Sequence, residues 1–542
     1  MKRVLFVLII FSSSIYSQLN VKVAANNLLR WGDGKELGIS NNVNKKYFEE
    51  LADVRLFVND FTFGLRFEYD DPIEFGKGTK GISRRFVEFK KDGFNVRAGH
   101  FYELFDKGLT LNSFENRGLG FNTQVDGIRL NYKTEFKKMK FNATILGGDL
   151  VYNNFLDTSV TETYSIRGAN FSFTPIKYIK LGGSALFSKG KIPAGNLVTN
   201  ITSEIYEANL GLSYKWVDAF VSYANKVTLS ESNILFPVSL APRGDGAYGY
   251  ISVATGGIGV TLDYKNYRFN LTAPDSRGAS SPFKPLPFQV PPSCNKEYSS
   301  TLLTRNPHVV DFGDEVGFQI DAFYSPNDKL TINANASLTS RHYDYSDVDS
   351  SAGYRFQRIE RSSNFIPSMR DAFSPYWEVY VEAEYYATKK LKVKLGVGRQ
   401  TSVIYNIYNP ASSETIRALT VPVEVKYDFM KKWSVKFLTE FQRSFNNIRA
   451  EQLNWVSQFT SISVSKSPNL ILTGSFEFTD DKEDPSGKKF WGSGEVTYKF
   501  SSSNQLTFGY GSDRGGLKCT SGICRYVKPF NGFKLTVINN FN

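Results

Sequence analysis

Apolar and polar residues alternate along this chain with a period of two, from one end to the other. In FTFGLRFEYD, Phe61, Phe63, Leu65, Phe67 and Tyr69 share one parity, and Thr62, Gly64, Arg66, Glu68 and Asp70 share the other. LTINANASL (330–338) and LTVPVEVKY (419–427) repeat the pattern. Such alternation marks a strand with one apolar and one polar face. Pro422 cannot donate to a ladder and predicts a local irregularity there.

The clearest hairpin is YWEVYVEAEYYATKKLKVKLGVGRQ. Trp377, Val379, Val381, Ala383 and Tyr385 form one face, continued by Leu391, Val393, Leu395 and Val397 on the return strand. The other face carries Glu378, Glu382 and Glu384, then Lys392 and Lys394. A register that sets Glu384 opposite Lys392 and Glu382 opposite Lys394 satisfies both the apolar and the charge pattern. In a barrel these pairs line the lumen; in a soluble sandwich they face water.

The connections alternate as well. Short turns are expected near Asn59-Asp60, 90–93, 136–138, 174–177, 215–217, 255–257, 325–328, Thr388-Lys389, 428–432, 466–468 and 501–504. Longer polar segments fall at 101–122, 149–162, 189–203, 228–246, 272–313, 342–374 and 513–530. Short periplasmic turns alternating with long outer loops are the habit of transmembrane barrels of the outer membrane. Followed through, the pattern gives about 24 antiparallel strands, an even number, with both termini on the short-turn side. The range is 22–26, because boundaries read from pattern are imprecise. No linker or second domain interrupts the run, so residues 18–542 read as a single barrel domain.

Both chain ends fit an exported barrel. In NGFKLTVINNFN, Phe533, Leu535, Val537 and Phe541 share a face. The stretch resembles the C-terminal targeting strand of outer-membrane barrels, which typically closes on an aromatic residue; here one Asn follows. MKRVLFVLIIFSSSIYSQ has Lys2 and Arg3, then an apolar run far short of the roughly 20 residues a helical span requires. It reads as a cleavable signal peptide, residues 1–17.

Composition adds three constraints. Aromatic residues make up 15% of the 542-residue chain and mean hydropathy is negative, which suits apolar-out, polar-in strands. The net charge is +12, but the basic residues are scattered and export removes the chain from nucleic acid, so none is expected as a partner. Outer-membrane lipid, lipopolysaccharide phosphates and anionic solutes suit that charge better. Three cysteines are too few for a disulfide scaffold. In KCTSGIC, Cys519 and Cys524 flank four residues; an exported hairpin permits a disulfide between them. Cys294 is then left over, either free or paired with another chain.

Chemical motifs are weak. NPHVVDFGDE holds His308, Asp311, Asp314 and Glu315, a conceivable metal set, but the segment runs into a strand and reads better as a hydrogen-bonded loop anchor. His100, Glu103, Asp106, Glu115 and Arg117 in the 99–120 segment are a conceivable acid–base set with no nucleophile motif; lumen charge pairs or a folded-in loop are the simpler reading. No catalytic residue, metal site or cofactor is assigned, and no enzyme is expected. SSPFKPLPFQVPPS lies in the longest non-strand segment, 272–313. With Phe283, Phe288, Pro285, Pro287, Pro291 and Pro292 it is too apolar for a hydrated loop. It is expected to pack inside or across the lumen, with His308 and Asp311 in the same segment, or to cap the outer mouth.

YFEELADVRLFVNDFTFGLRFEYDDP, LPFQVPPSCNKEYSSTLLTRNPHVVDFGDEVGFQIDAFYSP and CTSGICRYVKPFNGFKLTVINNFN together resemble an outer-membrane family of Bacteroidota catalogued only as a domain of unknown function. The resemblance runs over nearly the whole chain. It implies an outer-membrane barrel and carries no activity and no site residues.

Two functions remain in view. One is a pore for polar or anionic solutes with a loop-constricted lumen. The other is a non-enzymatic structural or assembly subunit of a secretion or surface-protein complex, with a protein partner at the outer loops. TonB-dependent transport is disfavoured, since strands begin almost directly after the signal. Barrel assembly machinery is an expected partner during biogenesis.

Overall fold

A computed structural model describes residues 20–38, 41–194, 197–231, 243–269, 284–347, 356–359 and 364–541. Phe283 and residues 1–17, expected as a signal peptide, lie outside these residues. The chain forms a closed, antiparallel 24-stranded barrel in which each strand pairs with its sequence neighbours. The first strand, Val21–Glu36, pairs with the last, Phe530–Phe541, from Ala25 opposite Phe541 to Glu36 opposite Phe530. Closure leaves no sheet edge, which is what the bilayer demands of a spanning sheet.

At one end the strands join through eleven short turns. At 92–93, 137–138 and 256–257 both turn residues have positive φ, the geometry whose twist matches a two-residue hairpin. Gly93 and Gly257 adopt it without strain. All eleven fall within a few residues of their expected places, and both described chain ends lie at this end of the barrel. The opposite end carries the long connections. One expected long segment, 189–203, is instead ladder: Ile179–Ala194 and Leu197–Tyr214 pair from Ile179 opposite Leu212 to Ala194 opposite Leu197. The polar residues there are the outer ends of two long strands rather than a loop.

Side chains obey the period of two. Phe63, Ile145, Val221, Leu262, Leu395, Phe441 and Phe533 stand exposed on the outside, as a lipid-facing belt requires. At the short-turn end the belt closes in a ring of aromatics that includes Phe94, Phe136, Trp216, Trp433 and Phe500. Exposed Phe541 belongs to this ring as well.

Two local expectations need correction. In the Tyr376–Tyr386 and Leu391–Ile404 hairpin, Glu384 stands opposite Lys394 and Tyr386 opposite Lys392. The register is shifted by two residues, so faces are kept and partners change. The ion pairs nonetheless form diagonally: Lys392 Nζ lies 3.2 Å from Glu384 and Lys394 Nζ 2.8 Å from Glu382. Long lysine side chains reach the diagonal neighbour, so charge pairing does not fix register here. At Pro422 the ladder to Leu391–Ile404 breaks between the Leu395–Val423 and Gly398–Thr420 pairs. The missing N–H accounts for the gap.

Candidate functional site

The inner wall is built in sectors. The strands between Met139 and Arg268 turn Leu146, Tyr164, Ile166, Leu186, Ile205 and Phe220 inward, all buried. A barrel this wide would otherwise hold a broad aqueous lumen. Apolar residues there must be covered, and two outer connections fold in to cover them.

The first is 102–124. Phe105, Leu109, Leu111 and Phe121 pack into the apolar cluster of that wall. Its tip dives deep: Asp106 accepts from Asn170 Nδ2 at 2.5 Å and lies 3.8 Å from Lys180, the second residue after a short turn. Thr110 bonds Ser184 at 2.8 Å and donates to Glu207 at 3.2 Å. Gly108 turns the tip: its φ is +85° and an added Cβ would stand 2.8 Å from the Val290 carbonyl oxygen.

The second is the Pro-rich segment. Phe288 is fully buried, its ring edge-on to Tyr164 at 5.3 Å, between buried Leu286 and Val290. The two inserts hold each other. Asn112 N donates to the Phe288 carbonyl at 2.8 Å, and Gln289 Nε2 donates to the Leu109 carbonyl at 2.8 Å. Further along, Glu440 on the wall accepts from Ser300 Oγ (2.9 Å), Thr301 N (3.0 Å) and Leu302 N (2.7 Å). Gln400 and Gln442 donate to the Leu303 and Leu302 carbonyls. These wall groups satisfy backbone that a lumen loop could not otherwise pair.

Charge clamps a further sector. Glu115 of the first insert meets Arg66 at 2.8 Å and Arg84 at 3.2 Å, and Arg117 meets Glu68 at 3.1 Å. Burial pushes the Glu115 carboxyl up, but Arg66, Arg84 and Arg117 outweigh it and hold it below the ordinary value. Arg129 reaches Glu103 at 2.9 Å.

The residues singled out in the sequence fall as follows. His308 Nε2 lies 2.5 Å from Glu315, and its ring stacks on Tyr376 at 4.4 Å. Asp311 accepts from the backbone of Gly313 and Asp314 and donates its own N–H to Glu315. They form a loop anchor at the foot of a strand. His100, Glu115 and Arg117 line one cavity of about 360 Å³, in which His100 contacts Arg85 and Asp126, whereas Glu103 and Asp106 lie elsewhere. Cys519 and Cys524 are joined in a disulfide across the hairpin of Gly516–Thr520 and Ile523–Val527. Cys294 is a buried free thiol in the Pro-rich insert, and burial pushes its pKa up to about 12. Phe533, Leu535, Val537 and Phe541 take the outward positions of the last strand.

A third connection, 514–529, is the disulfide hairpin. Arg525 donates to the carbonyls of Leu119 (3.1 Å) and Phe155 (2.7 Å) and covers the Phe75 ring at 4.9 Å. The hairpin thus ties three other outer loops together at the mouth.

Between this loop assembly and the wall of the closing strands a cavity of about 780 Å³ remains. Its upper end is lined by Glu36, Lys45, Lys518 and Lys528, and its lower end by Thr473, Glu495 and Thr536. Thr473 is the fourth residue of Leu470–Thr479, counted from the short-turn end, so the cavity descends most of the way through the barrel. Here small polar residues, Thr473, Ser475 and Ser493, line it among the rings of Tyr47, Phe459 and Trp491. Seven basic and five acidic side chains face it. Most are paired, as Arg514 with Glu477 (3.0 Å) and Lys528 with Glu36 (3.2 Å). Lys518 has no ion pair among the described residues, and burial pushes its ammonium below the ordinary value. Sequence reading missed this lining. Its wall half was visible as the alternating Thr473, Ser475 and Glu477 of LTGSFE; its loop half, Arg305, Arg514 and Lys518, is assembled only by the fold.

Closed sheet, lipid-facing belt, interfacial aromatics and loop-filled lumen define a transmembrane β-barrel of the outer-membrane type. The chain belongs to DUF6029, described as a family of unknown function, whose model matches residues 1–541. A search of curated proteins finds no match. Among solved structures, the FrpB iron transporter from Neisseria meningitidis is similar at TM-score 0.49 and 10% identity, over 97% of this chain and 82% of that one. The siderophore receptor PirA from Pseudomonas aeruginosa gives 0.48 and 7%, over 97% and 81%.

Proposed function

We propose that this protein is a channel of the bacterial outer membrane that passes small polar solutes, anions in preference, along one side of a loop-filled lumen. The observation that carries this reading is the cavity on the closing-strand side, with small polar residues on its wall and an excess of basic over acidic groups around it. Fixed positive charge at a constriction lowers the barrier for anions. The loops that fill the remainder keep a wide barrel from leaking. Lipid and lipopolysaccharide surround the belt, and barrel assembly machinery inserts the chain.

The test is single-channel recording of the purified full-length barrel in planar bilayers. A small conductance with anion preference is expected, and Lys518→Glu should reverse or abolish the preference while leaving the folded, heat-modifiable form intact. A barrel that inserts and never conducts overturns the channel. That result favours the second reading, a subunit of a surface complex, for which the interlocked outer loops 71–79, 102–124 and 514–529 offer a stable platform.

A further inference from the structure

Three arginines stand where a lipid-facing wall ordinarily carries none. Arg399, Arg417 and Arg443 lie on the adjacent strands Leu391–Ile404, Glu414–Met430 and Trp433–Asn446. All three have outward parity and are exposed. The register makes them one cluster. Arg399 and Arg443 both stand opposite Leu419, one on each side, and Arg417 is two residues nearer the loop end of the middle strand. With strands about 4.8 Å apart, the three guanidinium groups bracket a space roughly 10 Å wide.

Their height is specific. Below them the outward residues are apolar: Leu395, Val397, Leu419, Val421 and Phe441. Tyr427 and Trp433 mark the inner end of the belt on the same strands. Arg417 and Arg443 are ten residues above these two, respectively. Ten residues of tilted strand rise roughly 25 Å, the height of the apolar band. The cluster therefore sits at the outer headgroup level, with Trp377 and Phe445 beside Arg399 and Arg417 at 5.5 and 5.3 Å.

Among the described residues no carboxylate answers these charges. None of the three forms an ion pair among the described residues. Elsewhere on the outward face Arg85, Lys80 and Arg268 are each paired with an aspartate, Asp126, Asp71 and Asp245, while Arg167, Lys189 and Lys191 also lack an ion pair among the described residues but do not form a three-strand arginine cluster. Three unpaired cations at an apolar rim repel one another in a poorly hydrated setting. An anion that belongs to the membrane itself removes that cost. The guanidinium fork matches phosphate oxygens in pairs.

We propose that Arg399, Arg417 and Arg443 form a docking site for the phosphorylated sugar headgroup of an outer-leaflet glycolipid, lipopolysaccharide. Its acyl chains lie along Leu395, Leu419 and Phe441 while its phosphates bridge the arginines. The site is on the outer surface and does not depend on the channel.

The test titrates the delipidated full-length barrel in detergent with purified lipid A, in bisphosphorylated and phosphate-free forms, and counts bound lipid by native mass spectrometry. The wild type should retain the bisphosphorylated form. Replacing all three arginines with glutamine should weaken retention about tenfold or more, a loss of roughly 1.4 kcal/mol, while replacing them with lysine should weaken it less. If the triple glutamine variant fails to give a heat-modifiable barrel, Arg417→Gln alone is read and should still weaken retention. Unchanged retention in the glutamine variants overturns the site. So does equal retention of phosphate-free lipid A by the wild type, and equal retention of phosphatidylglycerol overturns the choice of glycolipid. Conductance should be the same in all these variants.

Discussion

On one side of the lumen, the strands between Met139 and Arg268 turn Tyr164, Ile166, Ile205 and Phe220 inward, and Phe105, Leu109 and Phe288 lie dry against them. On the other side, the closing strands turn Thr473, Ser475, Ser493 and Thr536 inward, and the same loop assembly stands off and leaves a cavity. Both walls obey the same alternation and the same ladder. What differs is the balance of inward residues: the closing strands set small hydroxyl and charged groups among a few rings, such as Phe459 and Trp491. Large apolar groups seal because covering them removes apolar surface from water. Small hydroxyl residues bond their neighbours across strands, as Ser475 does with Ser493 at 2.8 Å, and gain little from being covered. One half of the wall thus holds the loops and the other half leaves room beside them.

The largest effect is expected on the dry side. Phe288→Ala removes a fully buried ring and should cost about 3–5 kcal/mol of loop docking. The measurement is protease susceptibility of the 284–314 segment together with conductance, and both should rise while the barrel stays heat-modifiable. An unchanged segment would mean the apolar wall does not hold it.

Next comes the contrast between inside and outside of the wall. Val381→Arg places a charge in the belt and should cost roughly 2–4 kcal/mol of barrel stability if near the midplane. Glu382→Arg, one residue on and facing the lumen, should insert better, although it opposes Lys394. Equal losses in urea unfolding would show the two faces to be misassigned.

A smaller effect separates the charged clamp from the dry seal. Glu115 has a lowered native pKa, so it binds a proton less readily in the folded state than in the unfolded one. Its contribution is complete above the ordinary value of 4.5 and is lost as the pH falls below that, through the native value. Proteolysis of 102–124 should therefore rise on acidification below about pH 4.5, and Glu115→Gln should flatten that rise. The contacts of Phe288 should show no such dependence.

The smallest effect on stability belongs to the open side. Ser475→Trp fills space rather than emptying it, so the unfolding midpoint should move little, by about 0.5 kcal/mol or less. Conductance should nonetheless fall several-fold. If it does not, ions take another route.

The two walls also differ in how legible they were. The faces of Phe61–Asp70, Leu330–Ser340 and the 376–404 hairpin were readable because parity alone assigns them, and lipid on one side makes that parity strict. The Pro-rich segment announced its inward packing by being too apolar for water. The hairpin register was misread because charge pairing tolerates a diagonal partner, whereas backbone hydrogen bonds do not. The cavity was invisible, since Lys518, Arg305 and Arg30 are far apart in sequence and share no local signal.

Strand number, strand faces, turn positions and the disulfide partners Cys519 and Cys524 were thus determined by the sequence itself, because each rests on local alternation, spacing or turn chemistry. Which loops enter the lumen, how deep Asp106 reaches, and where space remains were decided only by the tertiary structure. Those outcomes depend on how inward side chains from strands hundreds of residues apart, such as Ile166 and Ser493, share one enclosed volume, and no local pattern encodes that sharing.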